Sequence, residues 1–256
     1  MNTHAACSDP PVSSALRWAC GSGALDAVLG GGLERGRVHE FYAAETADAA
    51  AAKGFVMAVA TGISQRRGAV LWLRSRRAIT LGGELQASGW AELGGTPGTG
   101  LLGTVADTIT QLRTAVDALR CPALGAVVVE GWGAMRELDL TATRRLALTA
   151  AKSGVPLLLL RIDAEPIPSA AQTRWQVAAA PSHALPGQAP GLPTFDITLL
   201  RQRSGPAGFD WRLEWDRDQR KFRETAVSGA VVSVPVGRPV ADPGTGSPGP
   251  HRRHAA

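Results

Sequence analysis

The chain has 256 residues, 45% of them hydrophobic, which is enough to bury the core of one α/β domain of about 200 residues. Its formal charge of +5 permits contact with nucleic acid or an acidic protein without demonstrating either. Cys7, Cys20 and Cys121 are isolated, so we expect neither a zinc site nor a disulfide framework. The longest apolar segment, 155–160, is too short to cross a bilayer, so we expect a cytoplasmic protein without a membrane span.

Short apolar runs alternate with segments of helical length along most of the chain. This alternation is typical of a mostly parallel β-sheet with helices on its faces. The predicted buried strands are 38–42, 69–74, 100–105, 126–130 and 155–162. The predicted helices are 49–64, 106–119 and 141–153, started by Asp48, Asp107 and Thr141.

Beyond residue 174 the apolar pattern changes to a period of two. Residues 209–215 alternate apolar and polar side chains, which favours a strand with one face towards the core, and 219–223 would pair with it across a turn at 216–218. The sequence therefore predicts an antiparallel hairpin at the edge of the sheet. The aromatic residues of this hairpin should face the core.

The two ends of the chain have a different composition from the middle. Residues 1–15 are polar and contain proline, and 226–256 are rich in Pro, Gly, Ser and Val, so we expect both segments to be disordered. One α/β domain is predicted over 16–225.

The stretch that follows the first predicted strand has the layout of a phosphate-binding loop. Such a loop needs glycines that let backbone N–H groups surround a phosphate, a lysine for the outer phosphates, and a hydroxyl for Mg²⁺. Ala43 stands where the loop would begin, and Asp48, Ala49 and Ala50 stand where Gly, Lys and Thr would be. We therefore expect no nucleotide cofactor and no metal.

The entry to this loop resembles the RecA-type ATPase core. Leu25-Asp26, the glycine run 30–32 and the segment Gly36-Arg37-Val38-His39-Glu40-Phe41-Tyr42 match that family in order and spacing. The resemblance implies a RecA-like fold. It also implies that the catalytic glutamate would fall near Arg76, which cannot act as a base for water at neutral pH.

A fuller resemblance, over about residues 16–224, is to ImuA-type proteins, a RecA-related bacterial family tied to damage-induced mutagenesis. The segments that carry it are 70–74, 173–177 and, most specifically, Trp211-Arg212-Leu213-Glu214-Trp215-Asp216. The partners implied by this resemblance are a Y-family-type polymerase homologue (ImuB-like), an error-prone replicative-type DNA polymerase, and RecA.

Other RecA-type positions are carried over by the same resemblance. The acid that assists Mg²⁺ would be Glu130, the polar switch would be Ile162 or Asp163, and the DNA-binding loop would be shortened to 164–172. For Glu130 we favour a carboxylate bonded to nearby backbone N–H groups or arginine over a metal ligand. Lys53, one turn past Ala49, is interpreted as a solvated helix lysine rather than a displaced phosphate lysine.

Two basic sets are candidates for contact with DNA or an acidic partner, and ordinary solvated arginines are an equal alternative for the first set. The first set follows a predicted strand and comprises Arg74, Arg76 and Arg77. The second set comprises Arg201, Arg203, Arg217, Arg220, Lys221 and Arg223.

The sequence thus favours a RecA-like accessory protein of error-prone, translesion DNA synthesis that is not an enzyme and acts by binding. Two alternatives stay open. One is a divergent RecA-type ATPase or recombinase, and the other is an SOS cell-division inhibitor with a RecA-like, nucleotide-free core.

Overall fold

The computed structural model describes residues 16–65 and 68–225, and within them nine strands form one sheet in the order β11-β10-β9-β8-β3-β7-β6-β4-β5. The strands are β1 (Arg17–Trp18), β2 (Leu33–Glu34), β3 (Val38–Ala43), β4 (Ala69–Ser75), β5 (Gly100–Val105), β6 (Leu124–Trp132), β7 (Leu157–Ile162), β8 (Thr173–Ala179), β9 (Thr194–Gln202), β10 (Phe209–Asp216) and β11 (Lys221–Glu224). The helices are α1 (Gly23–Val28), α2 (Ala49–Ile63), α3 (Arg76–Gly82), α4 (Ala87–Glu92), α5 (Thr108–Ala118) and α6 (Leu140–Ser153). The predicted disordered segments 1–15 and 226–256 lie outside the described residues.

The middle of the sheet is parallel, as the alternation of strands and helices predicted. Strands β8, β3, β7, β6, β4 and β5 all run in the same direction. Residues 157–160 of β7 are fully buried, because helices cover both faces of the strand. This arrangement places the carboxyl ends of the parallel strands at one edge, where α/β proteins usually bind ligands.

The antiparallel edge is built from β9, β10 and β11, which confirms the predicted hairpin. Leu213 and Trp215 are fully buried, whereas Phe209 at the start of β10 is 38% exposed. The ring of Phe222 stacks on Phe55 of α2, with centroids 4.9 Å apart. The hairpin aromatics near the turn therefore complete the core on the α2 face, as the alternation predicted.

Helix α2 covers one face of the sheet, and α5 and α6 cover the other. Asp107 caps α5 as predicted, since its carboxylate accepts from the Thr110 N–H at 2.7 Å. The predicted start of α6 at Thr141 is wrong by two residues. The cap is Asp139, whose carboxylate accepts from the Ala142 N–H. Asp139 lies one residue before the helix, where a carboxylate reaches the free N–H groups of the first turn.

The part of the chain that the structure describes contains no helix that is both long and apolar enough to cross a membrane.

Candidate functional site at the carboxyl end of the sheet

The segment between β3 and α2 contains the predicted degenerate loop. Asp48 precedes the first residue of α2, and its carboxylate accepts from the backbone N–H of Glu45 at 3.2 Å and of Ala179 at 2.8 Å. Ala49 and Ala50 begin α2, and Ala43 ends β3. Two backbone donors at this end of the sheet are thus bonded to the protein's own carboxylate.

Lys53 lies one turn further along α2, and the prediction that it is a solvated lysine is wrong. The residue is only 8% exposed, and its Nζ donates to the Gly82 carbonyl at 2.7 Å. The ammonium also lies 5.3 Å from the centroid of the Trp132 ring. Gly82 makes this approach possible, because a Cβ there would be 2.3 Å from Nζ.

Glu130 of β6 is the acceptor at the centre of this cluster. Its Oε1 lies 3.3 Å from Lys53 Nζ and 3.4 Å from Arg74 Nη2. The indole N–H groups of Trp132 and Trp72 donate to Oε1 and Oε2 respectively, each at 2.9 Å. Three of these donors share Oε1 and one reaches Oε2, so the charge of the carboxylate is used within the chain.

Arg74 was predicted to be a surface contact, and its burial corrects that prediction. It is 1% exposed, and its Nη2 donates to the carbonyls of Ala78 and Gly83 in addition to Glu130. Its Nη1 lies 3.8 Å from the exposed carboxylate of Glu84. Arg74 therefore holds the start and the end of α3 against β6 instead of facing a partner.

This ionic cluster is balanced in charge. Lys53 and Arg74 contribute two positive charges, and Glu130 and Glu84 contribute two negative ones. Buried ions stabilise a fold only when their partners and hydrogen bonds are well placed. The charges of the cluster are matched, although Nε and Nη1 of Arg74 have no hydrogen-bond partner among the described residues.

Sequence reasoning missed several members of the cluster. Trp72 and Trp132 were not singled out, because an indole in a strand usually indicates core packing alone. Gly82 was also missed, since the short helix α3 gave no periodic signal. The signal that could have found the cluster was the register of β4 and β6, which places Arg74 directly opposite Glu130.

The remaining RecA-type positions are dispersed. Arg76, at the catalytic glutamate position, begins α3 and is exposed. Ile162 ends β7 fully buried, and Asp163 is exposed with a positive φ of 52°. In the described ranges 16–65 and 68–225, no group of three or more His, Cys, Asp or Glu residues is placed to hold a metal ion.

The other basic candidates do not form one surface. Arg76 and Arg77 follow β4, whereas Arg201 lies opposite Arg174 at the start of β8, where the parallel strands begin. Arg203, just beyond the end of β9, is exposed.

The rest of the second basic set lies on or beside the hairpin turn and is partly paired. Arg217 forms an ion pair with Glu92 at 3.0 Å, Arg223 pairs with Asp216, and Arg220 donates to the Thr96 hydroxyl. Lys221 begins β11 and is exposed. Contact of these residues with DNA or a partner stays a prediction.

Comparison with known proteins identifies the fold. No protein-family model and no curated protein matches the chain. Among solved structures, that of the RadB recombinase covers 81% of this chain and 99% of its own, with a TM-score of 0.53 at 15% sequence identity. The chain therefore has a RecA-like fold, as the order and spacing at the loop entry predicted.

The same comparison corrects one prediction. From the altered loop we expected a protein that is not an enzyme, but the solved structure that shares this fold is that of a recombinase. The prediction was wrong because it judged the chain from a few loop positions, whereas the whole arrangement of strands and helices is shared with a recombinase.

Proposed function

We propose that the chain is a RecA-like accessory protein of damage-induced, error-prone DNA synthesis, and that it acts through contacts with other proteins. The RecA-like fold supports this proposal, because the structural neighbour is itself a recombinase. The ImuA-type segment Trp211–Asp216 also supports it. In the structure this segment makes up most of β10, next to the edge strand β11, and Trp215 is fully buried.

The observation that carries the proposal is the unprotected edge strand β5. Among residues 16–65 and 68–225 its one partner is β4, its sequence Gly-Leu-Leu-Gly-Thr-Val holds no charge and no proline, and Leu101 and Leu102 are 46% and 59% exposed. Proteins usually block such an edge with charges, proline or a covering element. An apolar edge left open is suited to accept a strand from another protein.

A groove lies directly beside this edge. Its volume is about 260 Å³, and Leu102, Trp72, Trp90, Leu85 and Met57 are among the side chains that line it. An aliphatic or aromatic side chain of an added strand would lie in this groove, because alternate residues of a strand point to the same face. The pocket supplies specificity that backbone pairing alone lacks.

The charge around the edge indicates which kind of segment fits. Residues 83–107 contain no lysine or arginine, and two of their three acids are paired within the chain, Glu84 with Arg74 at 3.8 Å and Glu92 with Arg217 at 3.0 Å. Asp107 is the remaining acid, and a basic residue at one flank of a partner segment would offset it. The partner segment is therefore apolar at its centre, with a basic residue at one flank.

The partners proposed are those implied by the resemblance: a Y-family-type polymerase homologue, an error-prone replicative-type polymerase, and RecA. The test is affinity purification of the tagged full-length protein from cells treated with a DNA-damaging agent. Recovery of the polymerases supports the proposal. Recovery of the division-ring protein instead would support a cell-division inhibitor, and recovery of neither would contradict the proposal.

A weak DNA contact is proposed at the hairpin turn. Charge reversal of Arg220 and Arg223 should reduce binding of the full-length protein to single-stranded DNA, because guanidinium groups neutralise phosphates. Charge reversal of the exposed Arg144 on α6 provides the control. Unchanged DNA binding in the double variant would remove this part of the proposal.

The likeness to a recombinase favours a second candidate, a divergent RecA-type ATPase with an unconventional pocket. Lys53 and Glu130 are the groups that such a pocket would use. Titration with ATP tests it directly: binding or hydrolysis in the wild type that is lost in both Lys53→Ala and Glu130→Ala would favour this candidate over the accessory role.

A further inference from the structure

A second buried charged cluster lies on the opposite face of the sheet. It consists of Glu40 and Tyr42 on β3, Arg161 on β7 and Arg174 on β8. Both guanidinium groups lie against the Tyr42 ring, 5.9 Å and 5.7 Å from its centroid. Burial raises the pKa of the Tyr42 hydroxyl, so the ring is neutral and contributes no negative charge.

This cluster, unlike the one around Glu130, is not balanced in charge. Arg174 Nε donates to Glu40 Oε2 at 2.8 Å, which uses the single acid of the cluster. Arg161 is 3% exposed and donates from Nη2 to the Gly133 carbonyl at 3.3 Å. Its Nε and Nη1 have no hydrogen-bond partner among the described residues.

The cluster therefore carries one positive charge without a counter-charge, and Nε and Nη1 of Arg161 can still donate hydrogen bonds. A buried guanidinium without a counter-charge is costly, and burial lowers the pKa of Arg161 for the same reason. Water can accept a hydrogen bond from such a group but cannot cancel its charge. An oxyanion does both, and the planar fork of arginine matches the oxygen spacing of phosphate.

The surroundings of Arg161 favour a ligand that arrives from the sheet edge. The loop 163–172 follows β7, and Arg174 holds it through the Ile167 carbonyl and the Ser169 hydroxyl. Arg201 of β9 adds an exposed guanidinium, which donates to the Ser169 carbonyl at 3.3 Å. Arg174 and Arg201 thus both contact Ser169 of this loop, and Arg161 lies against the same Tyr42 ring as Arg174.

The nearby acids do not offset Arg161. Asp163 is exposed and accepts from the Thr46 hydroxyl at 3.4 Å, and Glu165 is exposed as well. Neither forms an ion pair within 4.0 Å of an arginine in the described part of the chain.

We propose that Arg161, Arg174 and Arg201 bind a phosphate group beneath the loop 163–172. The group is either free phosphate or a phosphate of a nucleic acid. The site is separate from the loop between β3 and α2, since it lies on the α6 face of the sheet. It is independent of the proposed accessory role, because β5 takes no part in it.

The test is thermal unfolding of the full-length protein in inorganic phosphate and in chloride at equal ionic strength. The wild type should gain about 5 to 10 °C in Tm at a phosphate concentration about 100 times Kd. Arg161→Met should lose this gain and, in chloride, be at least as stable as the wild type. Arg144→Met, an exposed control, should keep the gain.

Three results would overturn the proposal: no gain in the wild type, an equal gain in Arg161→Met, or a lower Tm of Arg161→Met in chloride. If Arg161→Met does not fold, Arg161→Lys replaces it in the test, because this variant keeps the positive charge and loses the planar guanidinium group. Arg161→Lys should bind phosphate at least about tenfold more weakly than the wild type. An undiminished affinity would contradict the proposal.

A single-stranded oligonucleotide of 15 thymidines, dT15, identifies the source of the phosphate. If Arg161→Met weakens the binding of dT15 and inorganic phosphate displaces it, the site binds nucleic acid. A dT15 affinity unaffected by Arg161→Met, together with a phosphate effect that depends on Arg161, assigns it to free phosphate.

Discussion

Lys53 and Glu130 form a buried ion pair between α2 and β6, with Nζ 3.3 Å from Oε1 and side chains 10% and 0% exposed. Lys53 lies one turn into α2, and Glu130 lies in β6. Here each is bonded to the protein itself. The cluster therefore joins the helix, the sheet and α3 through charges and indole donors.

Removing the acid of this pair should be strongly destabilising. Glu130→Gln keeps the shape but leaves Lys53 and Arg74 without their shared buried counter-charge, so we expect a loss of about 3–5 kcal/mol in the free energy of unfolding. Urea denaturation measures it. In a double-mutant cycle with Lys53→Met the coupling should be at least about 1 kcal/mol.

The exposed pair Arg120–Asp117 provides the matched control. Its atoms are 3.1 Å apart, but its side chains are 63% and 73% exposed. Asp117→Asn should cost less than about 1 kcal/mol. Similar losses for Asp117→Asn and Glu130→Gln would show that burial of the Lys53–Glu130 pair does not determine its contribution.

Asp48 should weaken binding of anions at the start of α2. Its carboxylate bonds the N–H groups of Glu45 and Ala179, so Asp48→Ala frees two donors and removes one negative charge. Relief of a repulsion of about 1 kcal/mol or more corresponds to at least about fivefold tighter ATP binding than in the wild type. Isothermal titration checks this, and an equal or weaker affinity would place Asp48 away from the phosphate position.

His39 should make stability depend on pH. Burial lowers its pKa from 6.5 to about 4. The ring is neutral, with Nε2–H donating to the Glu34 carbonyl at 2.8 Å and Nδ1 accepting from the Thr173 hydroxyl at 2.7 Å. That hydroxyl in turn accepts from the Trp175 indole N–H. The donor and the acceptor of each hydrogen bond in this network are therefore fixed.

The sign follows from proton binding. Between pH 6.5 and about 4 the unfolded chain binds a proton at this histidine and the folded chain does not, so stability falls as the pH is lowered through that window. The loss from this group approaches about 3 kcal/mol and levels off below pH 4. Urea denaturation from pH 8 to 4 measures it, with His39→Gln as the reference. If both proteins lose stability in parallel, the histidine is not the cause.

Trp215 should be essential to the hairpin edge. It is fully buried and its indole donates to the Leu93 carbonyl at 3.1 Å, so Trp215→Ala should cost about 3–5 kcal/mol in chemical denaturation. Phe209→Ala, at the 38% exposed end of the same strand, should cost about 1 kcal/mol or less. A larger loss for Phe209→Ala would contradict the assignment of the core to the turn end of the hairpin.

Much of this fold follows from local patterns in the sequence. The buried runs 126–130 and 155–162 could be predicted because strands covered on both faces carry uninterrupted apolar residues. Helices α3 and α4, of 7 and 6 residues, could not, because they are too short to show a helical period. Thr141 was predicted to start α6, whereas Asp139, two residues earlier, makes the capping hydrogen bond.

The site was less predictable than the fold. Helix α2 is buried along most of its length, including Lys53, and such all-round burial depends on how the hairpin and α3 pack over it. A lysine in an alanine-rich helix gives no local sign of that packing. The ionic cluster arises from strands and a helix that are distant in the chain, so only the folded structure brings Lys53, Arg74 and Glu130 together.

The contact proposed at β5 is the central claim, and one measurement tests it most directly. The full-length protein, Leu102→Asp and the control Leu148→Asp are purified in parallel from cells with damaged DNA, and the co-purified polymerase homologue is quantified. Leu102 is 59% exposed beside the groove, and Leu148 is 73% exposed on α6.

Both substitutions place an acid on an exposed leucine, so their effects on folding should be small and similar. We expect Leu102→Asp to reduce recovery of the polymerase homologue at least about tenfold, since a buried unpaired charge at the interface costs about 1.4 kcal/mol or more. Leu148→Asp should leave recovery unchanged. Equal recovery with all three proteins, or no recovery with the wild type, would contradict the account.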